Sequence, residues 1–188
     1  SLYLVKSFLD IRLLGSTQDD ACGEAFDKVA KILGLGYPGG PAIEKAAAAG
    51  DPKAVKFTCS NTKEPLDFSY SGIKTAVLYF AQKNKLGIYS RGRLTAQKSK
   101  MTAGVCASFQ EAALNILVEK TFLACKLEKT STIIVGGGVA CNNVLRDKFA
   151  SAAKGTGISF FFPSKVNCMD NAAMIAGIGY HLAKRKKA

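Results

Sequence analysis

Ile133-Ile134-Val135-Gly136-Gly137-Gly138-Val139-Ala140-Cys141-Asn142-Asn143 reads as a short buried strand that breaks into a glycine turn and opens a helix. Successive glycines let the backbone approach a ligand closely, and the following helix aims unpaired N–H groups and its positive dipole end at the same place. The turn therefore suits an anionic group, or serves as a plain strand-to-helix link. The Asn142-Asn143 pair adds either a helix cap or hydrogen bonds to a sugar or a base edge.

Working outward, helix is expected over 140–153, strand over 158–162 and a last helix over 170–183. Strand, helix, strand, helix argues a parallel strand pair with a right-handed crossover. Upstream, strands are expected over 2–5 and 11–14, and a helix over 19–33 with Phe26, Val29, Ala30 and Leu33 at helical spacing. Tyr37-Pro38-Gly39-Gly40-Pro41 reads as a stiff turn, 42–49 as a short helix and 51–65 as loop or edge strand. Helices over 71–82 and 96–125 flank a basic loop, the second apolar on more than one face. The fold class is α/β.

The 188 residues, 48% hydrophobic, suffice for one well-cored domain. No unbroken apolar run reaches membrane-span length and no signal core follows a charged start, so a soluble, cytoplasmic protein without a membrane partner is expected. Six cysteines without a C-x-x-C, beside the single His181, support neither a zinc finger nor a disulfide framework; free thiols are expected. The net charge of +12 is uneven. Lys83, Lys85, Arg91, Arg93, Lys98 and Lys100 occur with no acidic residue between them, around Tyr89, and the tail carries Lys184-Arg185-Lys186-Lys187. These stretches suit nucleic-acid phosphates, with Tyr89 stacking on a base, or are solvated solubilising segments.

Other candidates have plain alternatives. Asp20, Glu24 and Asp27 share one helical face by spacing and suit hydroxyl recognition or a hydrated cation, or are acids favourably placed in a first helical turn. Gly39-Gly40 removes side chains where a ligand approaches, or only links helices. Asp67-Phe68-Ser69-Tyr70-Ser71-Gly72-Ile73-Lys74-Thr75 suits a phosphate at a helix start, or a simple cap through Ser71. Asp170, before the last helix, is its cap or a metal ligand.

Taken in order, Gly23-Glu24-Ala25-Phe26-Asp27-Lys28, the 37–41 turn, the 68–75 motif, Gly136-Gly137-Gly138-Val139-Ala140-Cys141-Asn142 and Met169-Asp170-Asn171-Ala172-Ala173-Met174-Ile175-Ala176 resemble the TsaD family of tRNA threonylcarbamoyladenosine synthases. An older family name is O-sialoglycoprotein endopeptidase. No His-Glu-x-x-His or Ser–His–Asp set supports a peptidase here.

The resemblance implies a sugar-kinase/actin-type, RNase H-like nucleotide-binding lobe with a helical insertion over about 38–126. It implies transfer of a threonylcarbamoyl group from threonylcarbamoyl-adenylate, made from ATP, to the exocyclic amine of the adenosine beside the tRNA anticodon. Carried over by motif, Asp27, Gly40, Glu44 and Asn142 fall on nucleotide and substrate positions, and Asp170 on a ligand of a divalent metal, Fe²⁺ by family expectation with Mg²⁺ or Zn²⁺ as alternatives. tRNA and, in bacteria, TsaB-like and TsaE-like proteins are the implied partners. The family's His-x-x-x-His metal ligands and Ser-Gly-Gly-His loop have no counterpart in these residues, so the resemblance is to the C-terminal lobe. Two readings result: an acyltransferase lobe that works with the other lobe, or a nucleotide-binding or partner-docking module without catalysis of its own.

Overall fold

The computed structural model describes residues 1–90 and 95–185, a mixed α/β arrangement. Arg91, Arg93, Lys186 and Lys187 of the basic stretches lie outside the described residues. Strands β1 (Leu2–Ser7) and β2 (Asp10–Gly15) pair antiparallel, with Tyr3 opposite Leu13 and Leu4 opposite Arg12. Helices α1 (Cys22–Ile32), α2 (Gly39–Ala47) and α3 (Ser71–Asn84) precede the long α4 (Ala96–Glu128). Then come β3 (Thr132–Ile134), α5 (Asn143–Ala153), β4 (Ser159–Phe161) and α6 (Ala172–Arg185). β3 and β4 pair in parallel with α5 between them in sequence, the pairing expected from the strand–helix–strand pattern.

α4 is the centre of the core. Val105, Cys106, Phe109, Ala113 and Leu114 are fully buried in it, and α2, α3, α5, β1 and β3 all contact it. Because neighbours surround it, its apolar residues are not confined to one stripe. Among the described residues it is the one helix long and apolar enough to cross a membrane, yet 67% of its most apolar window is buried inside the protein, as befits a core helix. Thr95 caps its start by accepting from the Lys98 N–H, and Lys129, in the left-handed region, ends it. α1 packs Phe26, Val29 and Ala30 between α2 and α3; Phe26 meets Phe109 of α4 edge to face at 4.9 Å between ring centres.

The two strand pairs form separate sheets. Their faces turned from α4 are bare: Tyr3, Val5, Ile11 and Leu13 on one pair and Ile134 and Phe161 on the other are exposed. α6 is likewise apolar and exposed through Met174, Ile175 and Ile178, and its His181 stacks on Phe8 at 3.8 Å.

Several element boundaries differ from the sequence expectation by two or three residues, and three of the differences have a local reason. α1 starts at Cys22 and not at residue 19, because Asp19 and Asp20 turn away to bind α3. α2 starts at Gly39, so the supposed turn Gly39-Gly40-Pro41 is its first turn, where proline's missing N–H leaves no helical bond unmade. After the glycines comes a 3₁₀ turn over Gly138–Cys141, and α5 opens only at Asn143.

Candidate functional site

A cavity of about 550 Å³ lies where the start of α2, the middle of α1 and the turn before α5 converge. Asp27, Gly40, Glu44 and Asn142 line it together, although they come from segments more than a hundred residues apart in sequence at the extremes. Phe26, Tyr37, Val139 and Met169 supply apolar wall. A larger cavity, about 700 Å³, sits between the end of α1, α2 and the start of α4, beside Lys45, Ser99 and Thr102; none of the sequence-predicted site residues borders it.

Asp27, Glu44 and Asn142 also have structural tasks. Asp27 Oδ1 accepts the Gly39 N–H at 2.7 Å, which ties α1 to the first turn of α2. A side chain on Gly39 would stand 2.5 Å from the Asp27 Cα, so the helices meet there only because Gly39 has none, whereas Gly40 faces open space. Glu44 Oε1 accepts from both the Asn143 backbone N–H at 2.9 Å and its side-chain amide at 2.8 Å. The positive end of α5, which the sequence reads as an anion site or a plain link, thus receives a carboxylate of the protein itself.

Asn142 is the cap of α5: its Oδ1 accepts from Leu145 N–H at 3.1 Å and its amide donates to Gln110 Oε1 at 2.9 Å. It is only 7% exposed, so it is no residue of a surface turn. The glycines themselves remain open, with no atom within 4 Å of a side chain built on Gly136, Gly137 or Gly138.

Asp170 is exposed, and Asn171 Oδ1, not Asp170, accepts the Met174 N–H in the first turn of α6. The capping reading of Asp170 is thereby replaced. Among the described residues no three His, Cys, Asp or Glu side chains gather as a metal-binding group, at Asp170 or elsewhere.

The three acids of the 20–27 stretch do not gather. Asp20 binds Lys28 at 2.5 Å and Lys74 at 2.6 Å, Glu24 binds Lys28 at 2.8 Å, and only Asp27 reaches the cavity. The hydrogen bonds of Lys28 and Lys74 hold the Asp20 carboxyl below its usual range. The phosphate reading of the 67–75 motif also gives way. Asp19 accepts the Ser69 hydroxyl at 2.5 Å and the Tyr70 N–H at 2.7 Å, filling the place at the start of α3. Burial pushes the Asp19 carboxyl up, but the hydrogen bonds from Ser69, Tyr70 and Ser71 outweigh it and hold the group at about 2.

In the basic stretch, Lys83, Lys85 and Lys100 are exposed and Lys98 donates to Ser90. Tyr89 is half-buried against the core, which removes it as a free stacking platform. Sequence reasoning missed Gln110 and Arg146. Gln110 was signalled only as a polar residue amid the apolar faces of α4; Arg146, which binds the Ala140 and Pro163 carbonyls at 2.8 Å each, carried no signal.

A strand pair bridged by a helix, beside a cavity walled by a glycine turn and a carboxylate, defines an α/β protein with a candidate ligand site. The family model for TsaD, tRNA N6-adenosine threonylcarbamoyltransferase, matches residues 1–177, and the chain belongs to that family. Relatives named tRNA N6-adenosine threonylcarbamoyltransferase include one from Desulfotalea psychrophila, 48% identical over 96% of this chain and 51% of its own length. Another, from Symbiobacterium thermophilum, is 48% identical over 92% of this chain and 48% of its own. A third, from Thermotoga neapolitana, is 46% identical over 98% and 53%. The chain spans about half the length of the curated relatives it matches.

Proposed function

We propose that this chain is the C-terminal, RNase H-like lobe of a tRNA N6-adenosine threonylcarbamoyltransferase and that its 550 Å³ cavity holds the adenosine part of threonylcarbamoyl-adenylate. The observation that carries the reading is the meeting of Asp27, Gly40, Glu44 and Asn142, picked out by motif alone, around one cavity of nucleoside size. Asp27 Oδ2, without a partner among the described residues, accepts from ribose hydroxyls. Gly40 leaves the wall clear, and Phe26, Val139 and Met169 give an apolar bed to a base. Asn142 acts chiefly by holding the glycine turn in place through α5 and Gln110.

Asp170 supplies one oxygen ligand to a divalent cation, Fe²⁺ or else Mg²⁺ or Zn²⁺, whose remaining ligands come from the part of the longer relatives that this chain does not span. Such a cation, when bound, polarises a carbonyl. The tRNA amine attacks the carbonyl of the mixed anhydride; the N–C bond forms, the acyl C–O bond breaks, AMP leaves with that oxygen and the amine's proton passes to solvent, while Asp27 and the glycine turn keep the adenylate oriented. The bare outer faces of the strand pairs and of α6 support a lobe whose sheets are covered elsewhere in such an enzyme; the family membership is the ground for placing it in the cytoplasm with TsaB-like and TsaE-like partners.

The test joins this chain to the remaining half of the Desulfotalea psychrophila relative. The joined protein is expected to form threonylcarbamoyladenosine in tRNA, read by nucleoside mass spectrometry, and Asp170→Asn to abolish it while the fold persists, because the Asn171 cap is untouched. Full modification by the Asp170→Asn protein overturns the assignment of Asp170, and robust modification by the 188-residue chain alone overturns the lobe reading.

A further inference from the structure

Two cysteines flank the rim of the candidate cavity: Cys141 lines it, and Cys168 directly precedes the lining Met169. Cys141 closes the 3₁₀ turn after the glycines, and Cys168 follows the 3₁₀ turn over Lys165–Asn167. The Cys141 thiol donates to the Lys165 carbonyl at 3.5 Å, and the backbone N–H of Cys168 donates to the same oxygen at 3.3 Å. Both cysteines thus bond one oxygen, Cys141 through its thiol and Cys168 through its backbone.

Arg146 fixes this approach. Its Nε holds the Ala140 carbonyl, one residue before Cys141, and its Nη2 the Pro163 carbonyl, at 2.8 Å each, and the same Nη2 lies 3.4 Å from the Cys168 sulfur. Both segments are thus tethered to one side chain, and little backbone search is left before the sulfurs join. Cys141 is only half-buried, so a small oxidant reaches it, while Cys168 behind it is buried at 3% exposure. Cys106 and Cys125, by contrast, are buried along α4.

We propose that Cys141 and Cys168 are a peroxide-sensitive pair that closes to a disulfide across the cavity rim, joining the turn that ends at Asn142 to the segment that leads into Asp170. Hydrogen peroxide oxidises the Cys141 thiol to a sulfenic acid and is itself reduced to water. The Cys168 sulfur then attacks the Cys141 sulfur; the S–S bond forms, the S–O bond breaks, and hydroxide leaves with the Cys168 thiol proton as a second water. A thiol reductant reverses the bond. The pairing rests on the two thiols and Arg146 alone and stands whether or not the cavity takes a nucleotide.

The experiment treats the reduced 188-residue chain with hydrogen peroxide, blocks remaining thiols by alkylation and maps tryptic peptides without reductant. The expected product is residues 130–146 linked to residues 166–184, lighter than the two reduced peptides together by about 2 Da, the mass of two hydrogens, and lost on reduction. Cys168→Ser should leave Cys141 as a sulfenic acid that dimedone labels, and Cys141→Ser should abolish the link. Alkylation of both cysteines after peroxide, or Cys141 linked instead to Cys22 or Cys59, overturns the proposal. The wild-type map decides this even if a variant misfolds.

Discussion

At the scale of single residues, Asn142 shows how one side chain carries two readings. The asparagine at a glycine turn reads from sequence as a ligand contact or a helix cap, and the structure gives it a cap and a buried amide pair. Removing it takes the cap from α5 and strands the Gln110 carbonyl oxygen. Asn142→Ala should therefore cost about 1–3 kcal/mol of stability in urea unfolding. Asn142→Asp, which retains a capping oxygen, should lose less of it. An unchanged unfolding midpoint for the alanine variant would contradict the structural role. Gly39 and Gly40 make a second residue-scale contrast, adjacent in sequence and opposite in surroundings. Gly39→Ala forces a methyl against the Asp27 backbone and should destabilise the chain by about 1–3 kcal/mol. Gly40→Leu should leave the melting temperature nearly unchanged while filling the cavity.

At the scale of elements, the link between the β2–α1 connection and α3 predicts an acid transition. Asp19 is held at about 2 in the folded chain, below its ordinary value of 3.8. A depressed carboxyl contributes stability that is fully present above pH 3.8 and is lost as pH falls through about 2, because the unfolded chain takes up the proton first. Melting temperatures between pH 5 and pH 2 should fall more steeply for the wild type than for Asp19→Asn; parallel curves would contradict the link. The same elements show what the sequence revealed. The 3.6-residue spacing of Phe26, Val29, Ala30 and Leu33 announces α1, and alternation of glycine turns with apolar runs announces the β3–α5–β4 unit. Where the chain departs, long-range bonds decide. Asp19 leaves its helix for Ser69, fifty residues on, and Glu44 takes the N-terminus of α5, ninety-nine residues on. No window of sequence contains such partners. The candidate site residues were singled out because their motifs resemble a known family, and they line one cavity; Gln110 and Arg146, which bond the residues flanking α5, belong to none of the motifs quoted.

At the scale of the whole molecule, a chain of net charge +12 with the exposed Lys83, Lys85 and Lys100 on the helical side suits a polyanionic substrate. Replacing Lys83, Lys85, Arg91 and Arg93 by glutamine should weaken tRNA binding for all sequences and flatten its dependence on salt, while leaving binding at the Asp27 cavity unchanged. Equal affinity and equal salt slope would make the stretch a solubilising loop. The central claim is that the residues converging from α1, α2 and the glycine turn form one adenosine site. The most direct test is titration of the ¹⁵N-labelled 188-residue chain with AMP, followed by amide chemical shifts. Shifts should concentrate on Asp27, Gly40, Glu44 and Gly136 to Asn142, and should vanish in Gly40→Leu. Shifts confined to Lys45, Ser99 and Thr102 around the larger cavity, or AMP binding undiminished by Gly40→Leu, would contradict it.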